Sequence, residues 1–469
     1  MITFGTDGWR AVIAEDFTFD NVRACAQGVV EYLREVQQTR KPVVIGYDTR
    51  FASEDFAAAT AEVIAANGIK VYLSSNAVPT PVLSYAIVAY KAAGGVVITA
   101  SHNPGRWNGF KYKDSSGASA PGDIVEKIQH HANHALSAST IKRIDIETGK
   151  KDGLIEFFDP FPAYRDHIAG LIDYKALSRC KLNVVHDAMF GAGIGYFREL
   201  FQGGKIDLVE LHGERNPAFP GLQPEPIAKN LQELSTLVKK SKADVGIAND
   251  GDSDRIGIVD ENGVFLNPHQ VFALLSLYLL DVRKERGPIV KSLCSTTMIY
   301  RLGKLYDVPV YETKVGFKYV APVMVDKDAM IGGEESGGYG FKGNVPERDG
   351  ILAGLFFLDL MVKTGKTPSQ LVAYLFSKVG EHYYDRIDHH LSGNEGKTLL
   401  GRLGPVDVLA GMKVKKLDTQ DGFRYMLEDD SWLLLRFSGT EPLVRIYAES
   451  DSMQKVNDLL SAGRKLIGV

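Results

Sequence analysis

Three aspartates at alternate positions, Asp250, Asp252 and Asp254, stand in the run Asn249-Asp250-Gly251-Asp252-Ser253-Asp254-Arg255, directly after the apolar stretch Val245 to Ala248. Alternation lets three side chains converge if the loop stays extended, and converging carboxylates are hard oxygen donors of the kind that Mg²⁺ or Ca²⁺ prefers. A solvated acidic turn is the plain alternative, and the adjoining apolar run weighs against it. A calcium-binding EF-hand also competes, because Glu261 falls at its twelfth position. Its sixth position, however, is Arg255 where the loop needs glycine, and the flanking segments read as strands. Arg255 beside a cation suits a phosphate, which metal and guanidinium neutralise together.

A second candidate loop, Thr99-Ala100-Ser101-His102-Asn103-Pro104, follows Gly95 to Ile98, with Asn108-Gly109-Phe110-Lys111 close behind. Ser101 is a candidate nucleophile and equally a loop hydrogen bonder or a helix cap, since serine is a preferred N-cap. The loop lacks the GxSxG elbow of a serine hydrolase, and His102 is poorly placed by sequence to be the base for its own neighbour. A third loop, Gly332-Gly333-Glu334-Glu335-Ser336-Gly337-Gly338, sets a carboxylate and a hydroxyl two apart between glycines that permit close backbone approach. Such a pair suits the vicinal hydroxyls of a sugar, and a hairpin turn with solvated acids explains it as well. A fourth, Arg436-Phe437-Ser438-Gly439-Thr440-Glu441-Pro442, reads either as a phosphate cradle, with Arg445 a candidate addition, or as an ordinary turn capped by hydroxyls. Gly191-Ala192-Gly193-Ile194-Gly195 lacks the GxGxxG spacing of a dinucleotide loop and reads as helix–strand packing.

The elements that must position these loops repeat one pattern: a short β-branched run, a polar loop, then a helical stretch. It recurs at Val43 to Gly46, Gly95 to Ile98, Leu182 to Val185 and Val245 to Ala248. Alternating strands and helices argue for an α/β fold with mostly parallel sheets, whose ligands gather beyond the carboxyl ends of the strands. At 469 residues the chain divides into roughly three or four domains. Breaks are expected in the linker-like Ile144 to Gly153, at the turn Asp260 to Gly263, and around Gly380 to Gly396, after which the composition turns β-rich before a last helix from Asp451 to Leu466. The expected units are 1–150, 151–260, 261–378 and 379–469, the last of α+β character. Val271 to Leu280 and Ile351 to Val362 are too short to span a bilayer and read as buried helices, the first capped by Asn267-Pro268 and the second closed by Gly365.

Composition narrows the partners. With 54 Lys plus Arg against 58 Asp plus Glu, the net charge of −4 leaves no electrostatic footprint for nucleic acid or an anionic membrane, so an anionic ligand must be held by local clusters. Three widely spaced cysteines, Cys25, Cys180 and Cys294, form no CxxC pair, against both a disulfide framework and a thiolate zinc site. The opening MITFGTDGWRAVIAEDF has no basic stretch leading into an apolar one, so no secretory signal is expected and a cytoplasmic setting is.

Taken in this order, the four loops, together with Gly5-Thr6-Asp7-Gly8-Trp9-Arg10 near the start, resemble the signature of the α-D-phosphohexomutase superfamily, in its phosphoglucomutase/phosphomannomutase branch. The resemblance spans the chain. It implies four domains around a central cleft, three related α/β units and a smaller C-terminal α+β one. It also implies a hexose 1-phosphate/hexose 6-phosphate mutase, glucose favoured and mannose accepted, working through a hexose 1,6-bisphosphate that also serves as activator. By similarity Ser101 carries the phosphoryl group, and Asp250, Asp252 and Asp254 hold one Mg²⁺ together with that phosphate. Glu334 and Ser336 contact sugar hydroxyls, and Arg436, Ser438, Gly439 and Thr440 bind the phosphate already on the substrate. Arg10, His102, Lys111, Arg255 and Lys291 match further active-site positions. Members with a GEMSGH or GEQSGH loop differ at Glu335 and Gly338, and Glu335 is closer to the GEES loop of phosphoglucomutases than to glucosamine-phosphate mutases. Phe317 stands where some relatives carry a histidine, which shifts attention to Lys318 or Lys111 as proton acceptor. Monomer or homodimer is expected. The alternatives are a phosphoglucosamine mutase, a metal-dependent sugar phosphatase and a non-catalytic sugar-phosphate binder.

Overall fold

A computed structural model describes the chain except residues 6, 392–398, 400, 438–442 and 469. Short runs such as Val-Val-Ile-Gly-Tyr at 43–47 become strands buried along nearly their whole length, the pattern of a sheet covered by helices on both faces. The first sheet has six strands in the order Trp9–Val12, Trp107–Lys113, Gly94–Ile98, Val43–Tyr47, Val71–Ser74, Ile155–Phe158. Its last four are mutually parallel and the first two antiparallel. The second sheet has five: Phe265–Leu266, Ile256–Val259, Val245–Asn249, Asn183–Asp187, Asp207–Leu211. The third has four: Val310–Thr313, Ile289–Ser292, Ile331–Gly333, Tyr339–Phe341. The fourth, from Tyr383–His390 to Val408–Leu409, has six strands and is antiparallel throughout, with the helix Met453–Ile467 packed against it. Three mixed α/β units and a C-terminal α+β unit are thus the architecture.

Two boundaries move. Ile144 to Gly153 is no simple linker but holds the helix Ile146–Lys151, and Ile144 just before it and Ile146 within it pack on the first core; the following strand Ile155–Phe158 pairs with Val71–Ser74. The first sheet therefore runs past residue 150. The turn at Asp260 to Gly263 closes a hairpin inside the second sheet, because Asp260 Oδ1 accepts from the Asn262 and Val264 amides and Val259 pairs with Phe265. The repeating strand–loop–helix pattern also fails at two places: the Ser101 loop leads into the strand Trp107–Lys113 and the aspartate loop into Ile256–Val259, each antiparallel to the strand before it.

The two long apolar helices form as their caps dictate. Asn267 and Gln270 make a reciprocal capping box at the start of Pro268–Leu277. Asp349 caps Gly350–Thr364, which ends on Gly365 at φ +62°. Both helices belong to one apolar cluster that includes Val44 and Val97 of the first sheet, Val245 and Ile256 of the second, and Ile289 and Ile331 of the third. That shared core locks the three α/β units together. The fourth has its own core and meets the third through a small cluster of Leu293, Cys294, Trp432, Leu434 and Tyr447. Among the described residues, no helix is long and apolar enough to cross a membrane.

Candidate active site

Ser101 sits in the left-handed region at φ +51°, a conformation that costs a non-glycine residue energy and survives only where the surroundings enforce it. Arg50 supplies the enforcement. Its fully buried guanidinium donates from Nη2 to the carbonyls of Ser101 and Asn103 (both 2.6 Å), from Nη1 to those of Pro104 and Trp107 (2.9 and 3.0 Å), and from Nε to Asp48 Oδ2 (3.0 Å). The Ser101 amide donates to Thr99 Oγ1 at 2.8 Å and no helix starts there, so Ser101 is not a helix cap. Its hydroxyl donates to Asp250 Oδ2 at 2.9 Å, across 149 residues of sequence. His102, contrary to the expectation from adjacency, turns its Nδ1 to 3.4 Å from Ser101 Oγ. Burial, and after it the charges of Arg255, Arg10 and Lys111, hold the His102 imidazole well below its usual range and therefore neutral.

The three aspartates converge, but through a turn with Ser253 at φ +58° and not through an extended loop. One oxygen from each of Asp250, Asp252 and Asp254 lies within 4.8 Å of the others, and all three residues are buried. Asp250 Oδ1 accepts from the Arg255 amide at 3.0 Å. Asp252 Oδ2 accepts from Thr80 Oγ1 (2.7 Å) and Lys111 Nζ (2.9 Å). Among the described residues, Asp252 Oδ1 and both Asp254 carboxylate oxygens find no hydrogen-bond donor. Burial, reinforced by the neighbouring carboxylates, raises the Asp250 carboxyl well above its ordinary range. Burial opposes ionisation of Asp252 too, but Lys111 outweighs it and holds this carboxyl below the usual range. Buried carboxylate oxygens left without donors, crowded enough to raise one another's pKa, are the donor set of a hard divalent cation, and Mg²⁺ fits it.

Basic side chains ring the trio. Lys111, 1% exposed, bridges Asp252 and Asp7 Oδ2 (2.8 Å). Arg10 donates to Asn103 Oδ1 at 2.7 Å, and Arg255 Nε lies 3.9 Å from both Asp250 and Asp254. The sugar-loop candidate joins the same place through its backbone: the Ile256 amide donates to the Gly337 carbonyl (2.9 Å), and the Gly350 amide to the Ser253 carbonyl (3.1 Å). Glu334 Oε1 accepts from the Gly316 amide at 2.9 Å, its Oε2 lies 3.6 Å from Arg348 Nη1, and burial pushes its carboxyl up to about 7. Ser336 Oγ is a buried hydroxyl with no hydrogen-bond partner among the described residues. Glu335 accepts from the Cys294 thiol at 2.8 Å, and Lys318 Nζ lies over the Tyr319 ring.

Lys291 does not join this group. It is buried in the strand Ile289–Ser292 with its Nζ 2.9 Å from Glu312 Oε2, and Glu312 also takes Arg424 of the fourth unit. Here its charge faces Glu312, at a contact between the third and fourth units. Arg436 Nε donates to Asp421 Oδ1 at 3.1 Å, and Asp421 accepts from the Val315 amide at 2.9 Å, so the fourth unit reaches the loop just before Phe317. Arg445 Nε stands 3.9 Å from Asp388 Oδ1. Ser438, Gly439 and Thr440 lie outside the described residues. Four contributors escaped the sequence: Arg50, Thr80, Arg348 and the role of Asp7. Arg50 carried a weak signal, as a charged residue in the loop after Val43 to Gly46; Arg348 carried none beyond its place before a buried helix.

Four models of one family match in sequence: the phosphoglucomutase/phosphomannomutase alpha/beta/alpha domains I, II and III over residues 1–138, 162–263 and 267–379, and the C-terminal domain over 398–465. The chain belongs to the phosphoglucomutase/phosphomannomutase family. It is 31% identical over 99% of its length to a phosphoglucomutase/phosphomannomutase from Thermococcus kodakarensis, 98% of which is covered. It is equally 31% identical, over 97% of its length and 96% of the relative, to a protein of Methanosphaera stadtmanae named "Probable phosphoglucosamine mutase". It superposes on a crystal structure from Thermus thermophilus with a TM-score of 0.87 and 36% identity, covering 100% of this chain and 99% of that one. Family membership makes the protein an isomerase, an intramolecular phosphotransferase acting on sugar phosphates.

Proposed function

We propose that the chain interconverts hexose 1-phosphate and hexose 6-phosphate, glucose first and mannose second, through phospho-Ser101 and a hexose 1,6-bisphosphate. The observation that carries the reading is the meeting of Ser101 Oγ with Asp250 Oδ2 at 2.9 Å inside a trio of converging aspartates. Phosphoryl transfer asks little of a protein beyond an in-line acceptor, positioning and neutralised charge. Asp250, Asp252, Asp254 and a phosphate oxygen on Ser101 would hold Mg²⁺, which supplies charge neutralisation on the moving phosphoryl group.

The remaining work belongs to side chains. Arg50 fixes the loop so that the Ser101 oxygen keeps one position, which converts a diffusive encounter into an oriented one. As the phosphoryl group passes from Ser101 to a sugar hydroxyl, the Ser101 Oγ–P bond breaks, a sugar O–P bond forms and the hydroxyl proton needs an acceptor. Lys111 suits that task poorly, since Asp252 and Asp7 keep it charged despite burial. Neutral His102, 3.4 Å from Ser101 Oγ, is the better acceptor. Glu334 and Ser336 hold ring hydroxyls, the latter with an oxygen that lacks a partner among the described residues. Arg436, with Ser438, Gly439, Thr440 and Arg445, grips the phosphate that is not moving. After one transfer the bisphosphate turns around and returns its other phosphoryl group to Ser101.

A coupled assay with glucose 1-phosphate, mannose 1-phosphate and glucosamine 1-phosphate, Mg²⁺ and a trace of the bisphosphate tests this. The reading expects 6-phosphates from glucose and mannose, abolished by EDTA and by Ser101→Ala. Steady release of inorganic phosphate without a 6-phosphate would replace it with a phosphatase. Turnover of the glucosamine substrate alone would favour the second reading, which the names of the archaeal relatives support.

A further inference from the structure

Arg348 belongs to none of the four loops, yet it touches two of them. Its Nη2 lies 2.6 Å from Asp254 Oδ2 in the aspartate loop and 3.3 Å from Asp7 Oδ2. Its Nη1 lies 3.6 Å from Glu334 Oε2 in the sugar loop, and its Nε 3.4 Å from Glu347 Oε1. The guanidinium stands over the Phe317 ring, 5.7 Å from the centroid, and the stem passes so close to Gly338 that a Cβ there would collide with Arg348 Cδ. Phe317 and Gly338, two of the positions at which this sequence departs from other members, thus form the floor and the opening of the place where Arg348 lies. The side chain is almost wholly buried, so its contacts are not shared with bulk water.

We propose that Arg348 is a positioning residue shared between the cation loop and the sugar loop: it partners Asp254 while the aspartates hold no divalent ion, and swings to Glu334 when they do. The inference rests on the metal and sugar roles proposed above. The two contacts are unequal in this structure: Asp254 Oδ2, at 2.6 Å, is a close ion pair not aligned as a hydrogen bond, while Nη2 donates to Asp7 Oδ2 at 3.3 Å, and Glu334 stands farther off at 3.6 Å. A divalent ion at the trio competes for Asp254 and repels the guanidinium, and Glu334, 3.6 Å from Nη1, is the carboxylate of the sugar loop within its reach. A rigid planar fork suits such a transfer, since a small rotation exchanges one carboxylate for another. The two sites are then linked reciprocally, so that cation binding readies the sugar loop and sugar phosphate tightens the cation.

The test uses the full-length chain with Arg348→Met, measuring Mn²⁺ affinity by electron paramagnetic resonance without sugar, and KM for glucose 1-phosphate. Removing a fixed positive charge beside Asp254 should tighten Mn²⁺ by roughly tenfold. KM should move the other way, rising by a similar factor, because Glu334 loses the partner that sets it. An arginine with only a structural role would weaken both together. Mn²⁺ affinity that is unchanged or weaker in a folded Arg348→Met overturns the proposal. Should that variant fail to fold by circular dichroism, Gly338→Ala, which pushes Arg348 aside without removing its charge, must show the same opposed shifts, and their absence overturns it equally. Mn²⁺ failing to bind the unaltered chain would instead refute the metal-site reading itself, and this inference with it.

Discussion

Replacing Arg50 with lysine keeps the charge beside Asp48 and removes the geometry. All five N–H groups of the guanidinium are spent, four of them on carbonyls of the segment Ser101 to Trp107. An ammonium has three donors at a single point, so with one of them on Asp48 at least two of those four carbonyls, that of Ser101 buried and the others partly so, lose their partner. At about 1–2 kcal/mol for each buried acceptor left unmade, the loss is about 2–4 kcal/mol. Spread over a unit of this size, it lowers the midpoint of thermal unfolding by roughly 5–12 °C. The kinetic effect should fall on kcat, because Arg50 touches neither Glu334 nor Arg436 among its described contacts. Loosening the Ser101 loop by about an ångström is worth on the order of 100-fold in rate. Differential scanning calorimetry and steady-state kinetics on glucose 1-phosphate read both quantities. A variant with an unchanged melting midpoint and kcat within about twofold would refute the claim that this guanidinium holds the serine in place.

Other perturbations follow from single contacts. Gly251→Ala drives a Cβ into the Ser101 carbonyl, so the serine and aspartate loops must part; phosphoryl transfer should fall on the order of 100-fold while circular dichroism stays unchanged. Glu334 is raised to about 7 by burial, so its contribution to stability is fully present at low pH and declines as pH rises from about 4.5 through 7. Glu334→Gln should remove that decline in pH-dependent urea melts, and, under the proposed sugar contact, also the fall in KM that ionisation of this carboxyl brings near neutrality. Glu347, fully buried, takes Lys113 Nζ and Ser119 Oγ; Lys113→Met leaves its charge short of a partner and should cost about 3–5 kcal/mol in equilibrium unfolding, against less than about 1 for the exposed pair Lys70–Glu156.

The sequence by itself marked candidate loops, because residue type and spacing are local: alternating aspartates after a buried run, a serine after another, and the glycine-framed Glu334-Glu335-Ser336. Each loop alone left a plain structural alternative open, and only the four in order carried the family resemblance. The sequence also determined the strands and the two apolar helices, whose caps lie next to them in the chain. Other features depended on residues far apart, and only the tertiary structure could decide them. Ser101 and Asp250 look like separate motifs until two sheets bring them to 2.9 Å. Lys291 entered only through the family resemblance, and nothing in its own neighbourhood of sequence told that its Nζ faces Glu312, a carboxylate it shares with Arg424. Strand direction was equally silent: the runs at 107–113 and 256–259 return antiparallel where the repeat suggested a helix, since pairing partner and not local pattern sets it. Arg348 is the sharpest case. An arginine's worth lies in which carboxylates stand within reach of its fork, and Asp7, Asp254 and Glu334 come within reach only when three units close on one core.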